Sequence, residues 1–285
     1  MNLEQKRIMI HKINNLPTLP TVLTKIIDLS EDRNANAADL GELLSRDPSI
    51  SSMILKLVNS AYYGNLRHIS SINHATVILG FQMVKTIAMG VLIYQSKSDG
   101  PQPAFDREQF WLHSLGVATI ARTLASELPL PDDLKLDTIF LSGLLHDVGK
   151  VIFDSYFSED YIRVAKLVAD EQIWIRDAEQ QIMHMDHTES GFYLARKWQF
   201  PAPVVEVIRF HHTLARSSEK NRLLCCIVHA ADHCCREIGL GSGGDNQKVI
   251  LDPIVEEFGL TPRLLEMVMS TIDRNRASLE AFIAE

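Results

Sequence analysis

The chain has 285 residues, enough for one large domain or two modest ones. Its composition, 46 % hydrophobic and 22 % charged, is typical of a soluble globular protein. The formal net charge is −8, and no local run of Lys and Arg offsets it. Direct nucleic-acid binding depends on cations that neutralise phosphates, so the sequence argues against it. The oligomeric state is left open.

Apolar residues recur three and four positions apart through most of the chain, and convincing two-residue alternation is absent. This pattern predicts an all-α fold. Residues 19–29 form the first clear helical segment. Asp47 followed by Pro48 predicts a helix start, with Asp47 as the N-cap, and the helix is expected over 49–63.

The segment 75–94 is apolar for about the length of a membrane-spanning helix. Gly80 interrupts it, and Gln82 and Lys85 are polar residues within it. We therefore expect two buried helices and no membrane span.

Turn-forming residues divide the chain into parts. A linker at 96–104 separates an N-terminal helical half, residues 1–95, from a second helical half, residues 105–238. A second break at its end opens a C-terminal extension, residues 239–285, in which two short helices are expected. The predicted architecture is a multi-helix bundle with an N-terminal helical subdomain.

The amino terminus and the cysteines indicate the compartment. No apolar signal core follows the polar amino terminus, so we expect a cytoplasmic protein. The four cysteines form the adjacent pairs 225–226 and 234–235 in an apolar stretch, where we expect reduced core residues. Cys225, His229 and His233 share one predicted helix face, which leaves a metal cluster there as an alternative.

The most informative feature is the pair His146-Asp147, set within the apolar run 139–153. Apolar flanks imply burial, and a buried carboxylate is costly unless it is paired or bound to a metal. Histidine and aspartate are ordinary ligands of divalent cations. The pair therefore predicts a metal site, placed at a helix end that Gly149 fits.

Further histidines and acids follow a definite order along predicted helices. His113 lies in a helix expected over 110–128, and His187 follows Asp186, which is a predicted N-cap with Glu189 completing a capping box. Helices of a bundle project side chains inward, which is how such folds build two-metal sites. In chain order, the candidate ligands are His113, His146, Asp147, His187, His211, His212 and Asp232.

This ordered set resembles the HD superfamily of metal-dependent phosphohydrolases, and the form His-Asp-x-Gly-Lys resembles its HD-GYP branch. Further motifs resemble the HDOD domain, the HD-related output domain, and the similarity extends over about residues 8 to 235. These motifs are 16–20, 46–48, 58–64, 72–80, 198–201 and 211–212.

The resemblance implies a bacterial signalling domain of a class in which many members have lost their metal ligands. It implies one or two divalent ions, and mixed His and carboxylate ligands suit iron, manganese, zinc or cobalt. Asp147 and Lys150 would be the catalytic residues of metal-assisted phosphoester hydrolysis, with Lys150 bound to a phosphate oxygen. The first ion would be held by His113, His146, Asp147 and Asp232, and the second by His187, His211 and His212, with Asp147 bridging.

Two departures from the HD-GYP pattern limit the expected activity. The paired histidines are followed by residues 213–218, which do not resemble the Asp-Gly…Gly-Tyr-Pro stretch of that branch. Gln109 stands where some relatives have a further acidic ligand. Both argue against a third ion and against cyclic-di-GMP cleavage.

Two functions remain. In the first, a regulatory protein whose metal site is structural or vestigial acts through a signalling partner protein. In the second, an active phosphohydrolase cleaves a small phosphoester or a nucleotide. The second needs an open coordination position and cations for phosphate. The candidate cations are Lys150, Arg163, Arg209 and Arg216.

Overall fold

The computed structural model describes residues 3–14, 21–31, 36–59, 68–95, 103–245, 247 and 249–284. Within these residues it contains sixteen α-helices and two 3-10 helices, with no strand, so the all-α prediction is confirmed. Three sequence features lie wholly or largely outside the described residues. They are the motif at 16–20, most of the motif at 58–64, and residues 96–102 of the predicted linker.

The described part of the N-terminal half contains six helices. Asp47 accepts the backbone N–H of Ile50 at 3.2 Å, so the predicted N-cap is present at the start of the fourth helix. The apolar segment 75–94 is divided between two helices that meet at Gly80, as expected. The helices are α1 (Leu3–Asn14), α2 (Thr21–Glu31), α3 (Ala37–Ser45), α4 (Pro48–Asn59), α5 (Ile72–Leu79) and α6 (Phe81–Gln95).

The second half contains the helices that carry the candidate ligands. Its members are α7 (Arg107–Ser126), α8 (Leu136–Leu145), α9 (Val148–Tyr156), α10 (Ser158–Glu171), α11 (Ile175–Ile182), α12 (His187–Lys197), α13 (Ala202–Phe210) and α14 (Glu219–Glu237). A 3-10 turn, Leu214–Arg216, joins the last two. The extension adds a 3-10 helix, Pro253–Phe258, and the two expected short helices, α15 (Pro262–Arg274) and α16 (Arg276–Ala284).

Two buried apolar clusters among the described residues each include side chains of both halves, and α6 packs against α8 and α9. Lys85 of α6 is completely buried, and its ammonium donates to the backbone oxygen of Gln199, beyond the end of α12, at 3.2 Å. Burial lowers the pKa of Lys85. The N-terminal half thus rests directly on site-bearing helices, while the proposed boundary at 96–104 stays a prediction. No helix among the described residues is long and apolar enough to cross a membrane.

The four cysteines lie on α14. All are buried, and none forms a disulfide. Burial raises the pKa of the Cys226 and Cys234 thiols to about 12, so these thiols stay protonated at neutral pH. They are core residues, as expected.

Candidate metal centre

His146 and Asp147 occupy the junction between two consecutive helices. His146 caps the carboxyl end of α8, and Asp147 immediately precedes α9, so the helix end predicted there is present. Both side chains are buried. Gly149 was expected at a helix end and instead lies in the first turn of α9, because α9 follows α8 almost without a loop.

The structure brings the seven predicted ligands together in two adjoining sets. Within each set, one potential ligand atom per residue lies within 4.8 Å of the others. We define the first group as His113, His146 and Asp232, and the second group as Asp147, His187, His211 and His212.

Asp147 lies between the two groups. Its Oδ2 is 3.3 Å from Nε2 of His146, in the first group. Its Oδ1 is 3.1 Å from Nε2 of His187 and 3.5 Å from Nε2 of His211, in the second group. One oxygen therefore faces each group, which is the arrangement that a bridging carboxylate requires.

Each of the seven side chains has a buried polar atom without a hydrogen bond of acceptable geometry, and each such atom exposes less than 1 Å². An unsatisfied buried polar atom costs about 1–3 kcal/mol. Seven of them in one place are unfavourable unless a ligand satisfies them, and a divalent ion would do so. The atoms are Nε2 of His113, His146, His187 and His211, Nδ1 of His212, Oδ1 of Asp147 and Oδ2 of Asp232.

Backbone carbonyls fix two of the imidazole rings. His146 Nδ1 lies 2.7 Å from the Gly143 oxygen, and His211 Nδ1 lies 3.0 Å from the Val207 oxygen. A carbonyl only accepts, so Nδ1 carries the hydrogen and the Nε2 lone pair points to the centre. Burial lowers the pKa of His211 to about 4, which keeps it neutral and able to coordinate at pH 7.

Glu179 on α11 is a further component that sequence reasoning missed. Its carboxylate is completely buried, and Oε2 accepts both the backbone N–H of His187, at 2.8 Å, and the ring Nδ1–H, at 2.7 Å. Its Oε1 accepts the Tyr161 hydroxyl at 2.8 Å. Burial lowers the pKa of His187, but the charges of Glu179 and Asp147 outweigh it and raise that pKa to about 9.

Two buried cations balance the acidic ligands. The Lys150 ammonium donates to Oδ2 of Asp147 at 2.6 Å and to the Gly243 carbonyl at 2.8 Å. The Arg236 guanidinium donates to Oδ1 of Asp232 at 3.0 Å and also to Asp245. Lys150 is thus engaged with a candidate ligand, and its role as a phosphate ligand stays a prediction.

The loop at 239–245, predicted as a break, packs against the centre. Its Gly243 carbonyl holds Lys150, and Ser242 N–H donates to the Gln109 oxygen on α7 at 3.0 Å. Gly241, with a φ of 69°, lies so close to the His113 backbone that a Cβ would stand 2.3 Å from its nitrogen. The loop therefore contacts the α7 backbone at His113 and the Lys150 side chain.

Several other predicted candidates do not join the centre. Arg163 is exposed and pairs with Asp160 of its own helix, and Arg209 donates to Thr188 and Glu189. Arg216 is an exposed residue of the 3-10 turn.

The alternative cluster of Cys225, His229 and His233 does not form. His229 uses both ring nitrogens, with Nδ1 2.8 Å from the His211 oxygen and Nε2 accepting the backbone N–H of Asp252 at 3.1 Å. His233 Nδ1 lies 2.7 Å from the backbone oxygen at position 249. Both rings are hydrogen-bonded to the backbone. Because His229 uses both of its ring nitrogens in this way, it has no lone pair left to bind a metal.

The fold and this buried centre can be compared with known proteins. The family model of the HDOD domain matches residues 16–214, which is more than half of the chain, and the protein therefore belongs to the HDOD family. An uncharacterized protein of Treponema pallidum (strain Nichols) is 28 % identical over 228 residues. The match covers 79 % of this chain and 43 % of the relative, so the chain spans less than half of that relative's length.

Solved structures share the fold. An HDOD domain protein of unknown function from Geobacter sulfurreducens has a TM-score of 0.68 at 24 % identity, over 100 % of this chain and 99 % of that one. A Marinobacter aquaeolei VT8 protein, named as a proposed signal transduction protein, gives 0.67 at 21 %, over 99 % and 66 %. A Shewanella amazonensis SB2B protein, named as a proposed metal-dependent phosphohydrolase, gives 0.63 at 21 %, over 99 % of each chain.

Proposed function

We propose that this protein is a cytoplasmic HDOD signalling protein that binds one or two divalent ions at the buried centre and acts through a partner protein. The metal part of the proposal rests on one observation: seven unsatisfied donor atoms converge in two adjoining groups, three of them on α7, α12 and α14 and four just after α8 and α13. The name of the Marinobacter neighbour supports the signalling part.

The burial of the centre favours a structural or sensing role for the ions. A substrate phosphate needs an open coordination position and cations that are free to bind it. Here the donor atoms are buried, Lys150 is engaged with Asp147 and Gly243, and the loop at 239–245 packs against the α7 backbone at His113.

A second candidate function is metal-dependent hydrolysis of a small phosphoester or a nucleotide. The position of Asp147, with one oxygen toward each group, favours it, because hydrolases with two ions use such a bridge. Bound ions would supply Lewis-acid stabilisation of charge on the phosphoryl group. Asp147 would hold both ions in register, and Lys150 would orient its carboxylate.

Metal content and turnover, measured on one sample, separate the two functions. Protein purified without a His-tag or chelator is expected to carry up to two equivalents of a divalent metal by mass spectrometry. The same sample is expected not to hydrolyse a generic phosphodiester or a phosphomonoester, with or without added Mn²⁺. Metal-dependent turnover would favour the hydrolase, and protein without any metal, also after incubation with Mn²⁺, would contradict the metal site.

We further propose that the N-terminal half carries the partner surface. Val77 and Ile78 of α5 are 78 % and 43 % exposed, although apolar. Changing both to serine is expected to weaken capture of a partner by the tagged full-length chain without altering metal content, because it removes exposed apolar area from this surface. Ile250, 84 % exposed in the extension, gives the matched control Ile250→Ser. Equal capture by both variants would contradict the proposal.

A further inference from the structure

Glu179 contacts the candidate ligand His187 at two points. Its Oε2 is 2.8 Å from the backbone nitrogen of His187 and 2.7 Å from the ring Nδ1. The Tyr161 hydroxyl donates to the other carboxylate oxygen, so both oxygens of Glu179 are used. A buried carboxylate with this set of donors is held in one orientation, and it holds the imidazole in one orientation in turn.

The charge of Glu179 distinguishes His187 from its neighbours. His146 and His211 are held by neutral backbone carbonyls, whereas His187 is held by a carboxylate. A carboxylate on Nδ1–H raises the basicity of Nε2 and so strengthens its bond to a cation. The interaction takes place at zero exposure of both side chains, where solvent screens it little.

Each group also has one carboxylate beside a buried cation, and in the second group Lys150 donates to Asp147 at 2.6 Å. In the first group, Oδ1 of Asp232 accepts from Arg236 at 3.0 Å, and the arginine side chain is 8 % exposed. These two positive charges weaken the attraction for a divalent cation in both groups, so the Glu179 carboxylate on His187 is what distinguishes the second group. Since Asp147 faces both groups, each of them has four candidate ligands.

We propose that Glu179 is a positioning residue for His187, and that it makes the second group the tighter of two unequal ion positions. This inference rests on the proposed metal site, and it adds the order in which the two groups bind metal. The second group fills first as divalent metal is added, and the first group fills afterwards.

The test is a titration of metal-free full-length protein with Zn²⁺ in competition with a chromophoric chelator. The Glu179→Gln variant keeps an oxygen to accept both N–H groups of His187 and an amide to face Tyr161, but it removes the charge. It is expected to weaken the tighter binding step about 10- to 100-fold and to leave the weaker step unchanged. The control Glu189→Gln makes the same exchange on α12, where the carboxylate pairs with Arg209, and both steps should stay as in the unmodified protein.

The His113→Ala background assigns the steps to the groups. Without His113 the weaker step should disappear, and Glu179→Gln should then weaken the one remaining step by the same factor. Glu179→Asp should recover part of that affinity because it restores the charge. Thermal melting of the metal-free variants checks that their folds are equivalent.

The outcomes separate this inference from the proposed function. If the unmodified protein binds no Zn²⁺, the metal site itself is wrong. If it binds two ions and Glu179→Gln changes neither step, or weakens both equally, the metal site stands and the role given to Glu179 is wrong. If the weaker step alone changes, the order of filling is the reverse of the one proposed.

Discussion

Protein in which His146 and Asp147 are both changed to alanine is expected to contain no stoichiometric metal. The first group loses His146, and the second group loses Asp147, the residue whose two oxygens face both groups. Neither group then has enough ligand atoms to compete with water for a divalent ion. Mass spectrometry of the unmodified protein and the variant, purified in parallel without chelator, measures the difference.

The helical content of this variant should stay largely intact, because α8 and α9 are held by buried apolar residues on both sides of the pair. The thermal stability should nevertheless fall. Lys150 is completely buried, and removal of Asp147 leaves its ammonium without a counter-ion, which costs about 3–5 kcal/mol. Far-UV circular dichroism and thermal melting report the two effects separately.

A triple variant that adds Lys150→Met provides a second test. Replacement of a buried ion pair by apolar side chains is often neutral for stability, so this variant should melt closer to the unmodified protein. It should still contain no metal. Stoichiometric metal in either folded variant would contradict the assignment of His146 and Asp147 as ligands.

The sequence predicted the fold class from local signals, and it predicted the seven candidate ligands from their order along the helices, which resembles that of the HD superfamily. Helical periodicity can be recognised within each segment alone, and the N-caps Asp47 and Asp186 directly precede or begin the helices that they cap. His146 and Asp147 stand within an apolar run, where the cost of burial is visible without a structure. Their role as metal ligands remains a prediction.

Glu179 could not be found in the same way. It lies on the same face of α11 as Ile175 and Ile182. An acidic residue on an apolar helix face was therefore the one sequence feature that could have indicated its burial. An acid on a short helix is more often solvated, and only the packing of α11 beside the start of α12 shows that it meets His187. The contact between Lys150 and Gly243 joins residues 93 positions apart and has no local signal.

Gly149 has a different structural role from the one that the sequence predicted. Its type suggested a helix end, whereas in the structure it allows α9 to pack tightly on α12. A Cβ at this position would stand 2.0 Å from the backbone oxygen of His187, 2.5 Å from Oγ of Ser190 and 2.8 Å from the backbone nitrogen of Gly191. Two of these three atoms belong to the backbone, which cannot rotate away.

Gly149→Ala is therefore expected to force α9 and α12 apart and to reduce the free energy of unfolding by about 3 kcal/mol or more. Since α12 begins at His187, the same displacement should move a candidate ligand and lower metal content. Chemical denaturation of the metal-free protein gives the stability change, and mass spectrometry gives the metal content.

Gly90→Ala in α6 is the matched control. A Cβ there would meet Cδ2 of Leu145 at 2.8 Å, the end of a flexible side chain. The higher helix propensity of alanine, worth about 1 kcal/mol, offsets that contact, so stability should change little. If Gly149→Ala were as stable as this control and kept its metal, α9 and α12 would not approach as closely as described. The loss of both properties from one added methyl group would show that the packing of these helices and the geometry of the centre depend on each other.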